Sequence, residues 1–454
     1  MKRLHLVATI VAVTLLAACG STHDSSGGGA NGLPAILGGA KPPTTLTTVY
    51  EFQGPPIDGG NPFGALLLGS DGNFYGTTNS AGVGQQLRHD DGAVFQVTPG
   101  GTERVLYTFR GGTDGAGAEA GVTAGSGGVL YGATDYGDGS VACAGGCGTV
   151  FDLIPNGSNY TEHVLYAFQG GSDGANPLGN VLVGSGGNIY GTTALGGGTS
   201  CTLGSTVVGC GVVYKLTPSG SGYTEKVLHA FQGGNDGAFP ADALIRDSFG
   251  RLYGTTQYGG TTGCNVPSNP AGCGIAFMLA PNGQETVLYR FQGGSADGGN
   301  PRSALLPLKG FQRLVGTAAR GGSTGCSCGT VFELRRGNHG YTETTLYNFG
   351  ASATDGIRPS DQNGLVADAQ GNIFGTTVGG GGAACHCGAI FEISPSPSGY
   401  TEKVLDSFKG GDGSFPHASL TQDASGQLYG VTFNAGLRVH GCGSGCGTVF
   451  RAAP

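Results

Sequence analysis

Seven phenylalanines at nearly even intervals, Phe52, Phe109, Phe168, Phe231, Phe291, Phe349 and Phe408, constrain this chain more than any other feature. They lie 57, 59, 63, 60, 58 and 59 residues apart, and each closes the same local pattern. One unit is therefore copied until it fills the chain, and whatever fold the chain adopts must be assembled from that unit. Alternation and turn punctuation divide each copy into four short strands. In the third unit strand A runs from Pro177 to Val183, B from Asn188 to Thr193, C from Gly211 to Thr217 and D from Tyr223 to Phe231. A Gly turn joins A to B, Ser185-Gly186-Gly187-Asn188 here and Ser70-Asp71-Gly72-Asn73 in the first unit; a second hairpin around Pro218-Ser219-Gly220 joins C to D. No window sustains a helical period.

Four antiparallel strands repeated at this spacing describe a β-propeller blade, with a linear β-solenoid as the competing arrangement. The copies at the two ends separate them. The last stops at Phe450-Arg451-Ala452, just after its strand C, whereas the segment from Thr44 to Phe52 has only the pattern of a strand D. The N-terminal strand is expected to complete the last blade, a closure that a solenoid does not use and that removes free sheet edges. The expected fold is all-β: a seven-bladed β-propeller of four-stranded antiparallel blades over residues 44–454.

The blade accounts for an unusual composition, 94 glycines and no tryptophan in 454 residues. Glycines in Tyr-Gly-Thr-Thr and before Val-Phe are expected to let neighbouring sheets approach. Tyr107 and Phe109, Tyr166 and Phe168, Tyr289 and Phe291, and Tyr347 and Phe349 share one face of strand D by period two and are expected to fill the gaps between blades. His229 and Asp406 replace the tyrosine in their units, and Leu314-Val315 replaces the strand B aromatic of the fifth. A net charge of -8 spread over this length supplies no basic stripe for phosphate backbones, so nucleic acid is not an expected partner.

At the N-terminus Lys2 and Arg3 precede an apolar run from Leu6 to Ala18, too short to span a bilayer, which reads as a signal peptide over residues 1–18. Leu16-Ala17-Ala18-Cys19 matches the cleavage box of bacterial lipoproteins, by which Cys19 would carry the lipid; an ordinary signal peptide with a chance cysteine is the alternative. Gly20 stands where an Asp would resemble an inner-membrane retention signal, so the outer membrane is the expected location in a Gram-negative host. Residues 19–43 are Gly-, Ser-, Ala- and Pro-rich, a tether with a reach of about 25 Å. The expectation is a lipid-anchored monomer of the cell envelope, periplasmic or surface-exposed, whose membrane contact is the lipid.

The twelve remaining cysteines fall two per unit in units two to seven: Cys143/Cys147, Cys201/Cys210, Cys264/Cys273, Cys326/Cys328, Cys385/Cys387 and Cys442/Cys446. Each pair lies in the B to C loop, its second member directly before the Gly that opens strand C. Even pairing at one structural position in an exported chain reads as disulfides. They are expected to rigidify a Gly-rich loop more than to add global stability. A tetrathiolate metal site from Cys326, Cys328, Cys385 and Cys387 with His386 nearby is the sharper alternative.

Each strand D is followed by an Asp-Gly turn: Asp58, Asp114, Asp173, Asp236, Asp297, Asp355 and Asp412. An Asx-type turn accounts for them, with a cation ring around the central channel as the alternative. The repeated Glu162, Glu225, Glu343 and Glu402 of strand D read as cross-strand partners. Function is better sought where the copies differ. The first unit has no cysteine pair and carries Arg88-His89-Asp90-Asp91 in its B to C loop, and the seventh carries Arg438 and His440 in its own. Ring closure makes these loops neighbours, the leading candidate binding site, with Arg320, His386 and His417 on the same face. No metalloprotease, nucleophile-elbow, phosphate-loop or haem signature is present, so no catalytic residue, cofactor or metal is assigned. Carboxylate pairs brought together from distant blades would still suit glycoside chemistry.

The strings Leu165 to Phe168, Gly170 to Gly174, Tyr190 to Thr193, Gly148 to Phe151 and Tyr160 to Glu162 resemble the GloVer tandem repeat of "choice-of-anchor" bacterial surface proteins, over residues 44–454. The resemblance implies a surface module whose members differ in attachment, with no catalytic residues to carry over. The expected function is a non-enzymatic envelope binding or display module that presents a disulfide-stapled loop face to a glycan or protein partner. A polysaccharide lyase or hydrolase and an envelope assembly scaffold are the alternatives.

Overall fold

The structure is a computed structural model and describes residues 46–454 apart from 56, 81–90, 138–139, 141, 199, 204–205, 221, 241, 261–263, 265–271, 296, 323–325, 360–363, 398 and 435–444. Seven antiparallel sheets follow one another along the chain as the blades of a β-propeller. Blade 3 is representative, pairing Leu182–Val183, Ile189–Thr193, Val212–Ser219 and Gly222–Ala230 in that order. In blade 7 the order is Thr421–Gln422, Leu428–Thr432, Thr448–Ala452 and then Thr47–Glu51 from the start of the chain. Thr47 faces Arg451 and Glu51 faces Thr448 in an antiparallel pairing, so the N-terminal strand closes the ring as its alternation predicts.

Strand A is shorter than its sequence pattern. In blade 3 only Leu182–Val183 pairs regularly, and the upper part is reduced to a single bridge between Ala175 and Leu195. The cause is local: Asn176 takes φ 57° and is followed by Pro177, which has no N-H to donate to a ladder. The same left-handed residue recurs in every blade as Asn61, Gly117, Asn176, Phe239, Asn300, Arg358 and Phe415. Its N-H bonds across to the preceding blade each time, to the carbonyl of Cys446, Asp91, Cys147, Cys210, Cys273, Cys328 and Cys387 respectively. The interruption of strand A is thus a stitch between blades.

The core lies between the blades. Buried side chains form seven clusters, each drawing on two neighbouring blades. At the centre of each, the strand D phenylalanine meets the strand C aromatic of the next blade edge to face, as in Phe231 with Phe277 at 5.2 Å and Phe52 with Phe95 at 5.0 Å between ring centroids. Full burial of such a ring contributes about 2–3 kcal/mol, repeated at every junction. Two glycines per unit make this packing possible for different reasons. Gly211, which opens strand C, has φ 87°, and a Cβ there would lie 2.7 Å from Cδ of Pro240 in the next blade. Gly191 of Tyr-Gly-Thr-Thr instead lies against the ring of Tyr214 in its own blade. The first glycine therefore lets neighbouring sheets approach, as expected, and the second makes room for a ring within the sheet.

Candidate functional site around the propeller axis

Seven copies of one turn lie at the outer rim. Each Asp of the Asp-Gly turns accepts a backbone N-H of its own turn, as in Gln169 to Asp173 at 2.8 Å and Gln292 to Asp297 at 2.6 Å. In five units it also accepts the strand D tyrosine hydroxyl, from Tyr50, Tyr107, Tyr166, Tyr289 and Tyr347. These carboxylates face the outermost strand of the blade, so each serves its own turn. Burial, with the adjacent Asp, raises the pKa of each of these tyrosines and keeps them protonated donors.

The repeated strand D glutamates do not pair across their own sheets. Glu103, Glu162, Glu225, Glu285, Glu343 and Glu402 lie within electrostatic reach of the turn carboxylates of the preceding blade, Asp58, Asp114, Asp173, Asp236, Asp297 and Asp355. Desolvation first, and the neighbouring charge second, push Glu103, Glu162, Glu225, Glu343 and Glu402 up to about 7. Blade 7 carries Leu46 in place of the glutamate, and Leu46 N-H bonds Asp406, the residue that replaces the tyrosine in blade 6.

The cysteine pairs are bridged at Cys143–Cys147, Cys201–Cys210, Cys264–Cys273, Cys326–Cys328 and Cys385–Cys387, so the tetrathiolate alternative does not hold. Cys446 is also disulfide-bonded, and Cys442 lies outside the described residues. Each bridge sits under the turn that leaves strand D. A Cβ on Gly170 would come within 2.6 Å of both Cys143 and Cys147 sulfurs, and one on Gly350 within 2.6 Å of Cys326. In blade 1 the same seat is filled by Asp91, whose Oδ1 would lie 2.9 Å from a Cβ on Gly111. Asp91 precedes Gly92 as the second cysteine precedes its glycine elsewhere, so it takes the structural place of a disulfide. Arg88, His89, Asp90, Arg438 and His440 lie outside the described residues. Arg320 is the penultimate residue of the strand Arg313–Gly321, and His386 sits between the two cysteines of its bridge.

The inner rim carries residues that sequence reading passed over. One residue per blade stands two places after the left-handed stitch residue, and another follows the end of the Tyr-Gly-Thr-Thr segment or its Tyr-Gly-Ala-Thr counterpart in blade 2. In blade 2 these are Glu119 and Asp135. Asn79 of blade 1 donates to Glu119 Oε1 at 2.9 Å, and the charge of Arg302 in blade 5 acts on Glu119 from three blades around the ring. Only residues that reach toward the axis can combine in this way. Burial raises both carboxyls above the ordinary range, and the Asp135 charge raises Glu119 further. Tyr136 is raised by the Asp135 charge, then by burial and Glu119. Asp135 is 5 % exposed, and its Oδ1 accepts no hydrogen bond. Two like-charged neighbours in a site with so little water favour retaining a proton between them.

Beside this pair the inner wall is aromatic. Phe63 of blade 1 stacks on His417 of blade 7 at 4.8 Å, and Phe433 closes edge-on to both at 5.6 Å. All three keep part of their surface exposed. Blades 7, 1 and 2 thus give a continuous stretch in which ring faces and carboxyl or amide groups alternate. The signal was available in the sequence: these positions differ from copy to copy, as the loops of blades 1 and 7 do.

Solved structures with similar coordinates are remote. A luciferin-regenerating enzyme matches at 14% identity and TM-score 0.40, covering 72% of this chain and 87% of its own. A protein from Lactobacillus plantarum matches at 9% and 0.45, covering 78% and 88%, and one of unknown function from Dyadobacter fermentans at 12% and 0.41, covering 80% and 100%. None of these carries an argument about the chemistry of this chain. No curated protein matches its sequence. The Gloeobacter/Verrucomicrobia repeat matches three times, over residues 24–203, 84–326 and 199–450. These matches span the blades whose shared turns and stitches were described above, and the chain belongs to that repeat family.

Proposed function

We propose that this propeller is an exported glycan-binding module of the cell envelope, held by a lipid on Cys19, and that its ligand engages the inner wall formed by blades 7, 1 and 2. The observation that carries the reading is the pairing of a partly exposed aromatic cluster, Phe63, His417 and Phe433, with the Asn79–Glu119–Asp135 group on consecutive blades. Sugars present apolar C-H faces and dense hydroxyls. Aromatic faces pack against the former, while carboxylates and amides exchange paired hydrogen bonds with the latter. The disulfide bridges hold the neighbouring loops so that little ordering entropy is lost on binding. The mature protein in detergent, screened against envelope polysaccharide fragments, should bind one class saturably. Glu119→Gln with Phe63→Ala should reduce that affinity at least tenfold with the melting temperature nearly unchanged. Binding that survives this double change, or that is confined to envelope proteins, overturns the reading.

A second reading rests on the same two carboxyls. A protonated and an ionised carboxyl side by side are the acid and base of glycoside cleavage. Release of reducing ends from the bound polysaccharide, lost in Glu119→Gln, would make the module an enzyme.

A further inference from the structure

One junction between blades departs from the rest in a way that changes its chemistry. Where five units place a tyrosine on the turn aspartate, blade 3 places His229, whose Nε2 lies 3.2 Å from Asp236. Glu285 from strand D of blade 4 completes the group, as its counterparts do elsewhere. The ligating atoms of His229, Asp236 and Glu285 all lie within 4.8 Å of one another. Among the described residues no other set of three such side chains comes together.

We propose that His229, Asp236 and Glu285 form a binding site for a divalent transition metal of the zinc class, wedged between blades 3 and 4. Three observations support it. First, the spacing fits: ligands at 2.0–2.2 Å from a tetrahedral ion stand roughly 3.3 Å apart, and the His229–Asp236 pair is already there. The third ligand atom, on Glu285, lies within 4.8 Å of the other two. Second, Glu285 Oε1 is buried without a hydrogen-bond partner, as are the matching oxygens of Glu103, Glu162, Glu225 and Glu402, but only at this junction does an imidazole stand beside it. Third, the ligand types select the ion. An imidazole with two carboxylates suits zinc and its neighbours in the first transition row, whereas an all-oxygen set would suit calcium or magnesium. Five sister junctions offer a protonated tyrosine hydroxyl, a donor to the aspartate and a poor ligand, and the junction of blades 6 and 7 has Asp406 with Leu46 in place of the glutamate.

The position is reachable from solvent, since the His229 and Asp236 side chains keep 18% and 24% of their surface. Three protein ligands leave a fourth position for water or for an outside group. The ion would tie the turn of blade 3 to strand D of blade 4 and replace the proton that the sister junctions share.

The test uses the mature protein in detergent with Zn²⁺ itself as the probe. After dialysis against a zinc buffer, elemental analysis should find one more equivalent per chain in the natural protein than in His229→Tyr. That variant installs the residue that five sister junctions use, so it is expected to fold and to melt within a few degrees of the metal-free parent. Glu285→Gln should weaken binding at least tenfold. Cobalt loading should give intense visible bands of a four-coordinate site in the natural protein alone. Equal zinc content in the natural protein and His229→Tyr overturns the proposal, as does a histidine-dependent equivalent that Glu285→Gln leaves at full affinity.

Discussion

The outer and inner rims of this ring are built from the same repeat and behave differently. At the outer rim the same three groups, turn aspartate, strand D tyrosine and strand D glutamate, recur at junction after junction with the same bonds. At the inner rim the described residues after the stitch are Phe63, Glu119, Leu178, Arg302 and His417, and those after the end of the Tyr-Gly-Thr-Thr segment are Asn79, Asp135, Ala194, Gln257, Ala319, Val378 and Phe433, so that only alanine occurs twice. A residue demanded by every blade stabilises the blade. A residue that changes around a ring of otherwise equal positions is free to serve a ligand, because the fold does not require it. The comparison locates function by the absence of symmetry, and it predicts that damage to the two rims has opposite signatures.

The largest effect should come from the packing that both rims depend on. Gly211→Ala places a Cβ at 2.3 Å from the Thr193 carbonyl oxygen and forces a left-handed φ. It should destabilise the propeller by about 3 kcal/mol or more, read from chemical denaturation. Tyr166→Phe removes one hydroxyl bond to Asp173 at the outer rim and should cost about 1.5 kcal/mol without altering ligand affinity. A loss of affinity in that variant would break the division between rims.

Acidity sharpens the contrast further. The outer-rim glutamates titrate near 7 in the folded protein and near 4.3 in an unfolded chain, as an order-of-magnitude reference. Between these values the folded state holds protons that the unfolded state has released, so stability is full below the lower value and is lost as pH rises through the upper. The melting temperature should fall by a few degrees from pH 5 to pH 8, and Glu225→Gln should flatten part of that slope. The smallest effect on stability is expected at the inner rim. Asp135→Asn relieves a like-charge pair and should change stability by no more than about 1 kcal/mol, while affinity for the glycan falls.

Much of this was legible in the sequence. The spacing of the phenylalanines and the lone strand D at Thr47–Glu51 specify the number of blades and the closure, because period-two alternation and turn residues act locally. Contacts between units were harder to read. The partner of Glu162 is Asp114, in the preceding blade, and no strand register within the unit points to it. Asp91 read as part of the candidate binding loop because its disulfide-like seat depends on Gly111 of the following turn. Glu119 and Asp135 escaped notice because they are sixteen residues apart, one before Thr123–Ala124 and one just after Leu130–Thr134, and become neighbours only when the chain folds back toward the axis.

The closure of blade 7 has a mechanical consequence. A pull in line with Thr47–Glu51 runs parallel to the strand and perpendicular to its hydrogen bonds with Thr448–Ala452. Those bonds are loaded in shear and must fail together, where a terminus peeled from a sheet end would lose them singly. On the proposed anchoring at Cys19, the load would enter the ring at its own clasp.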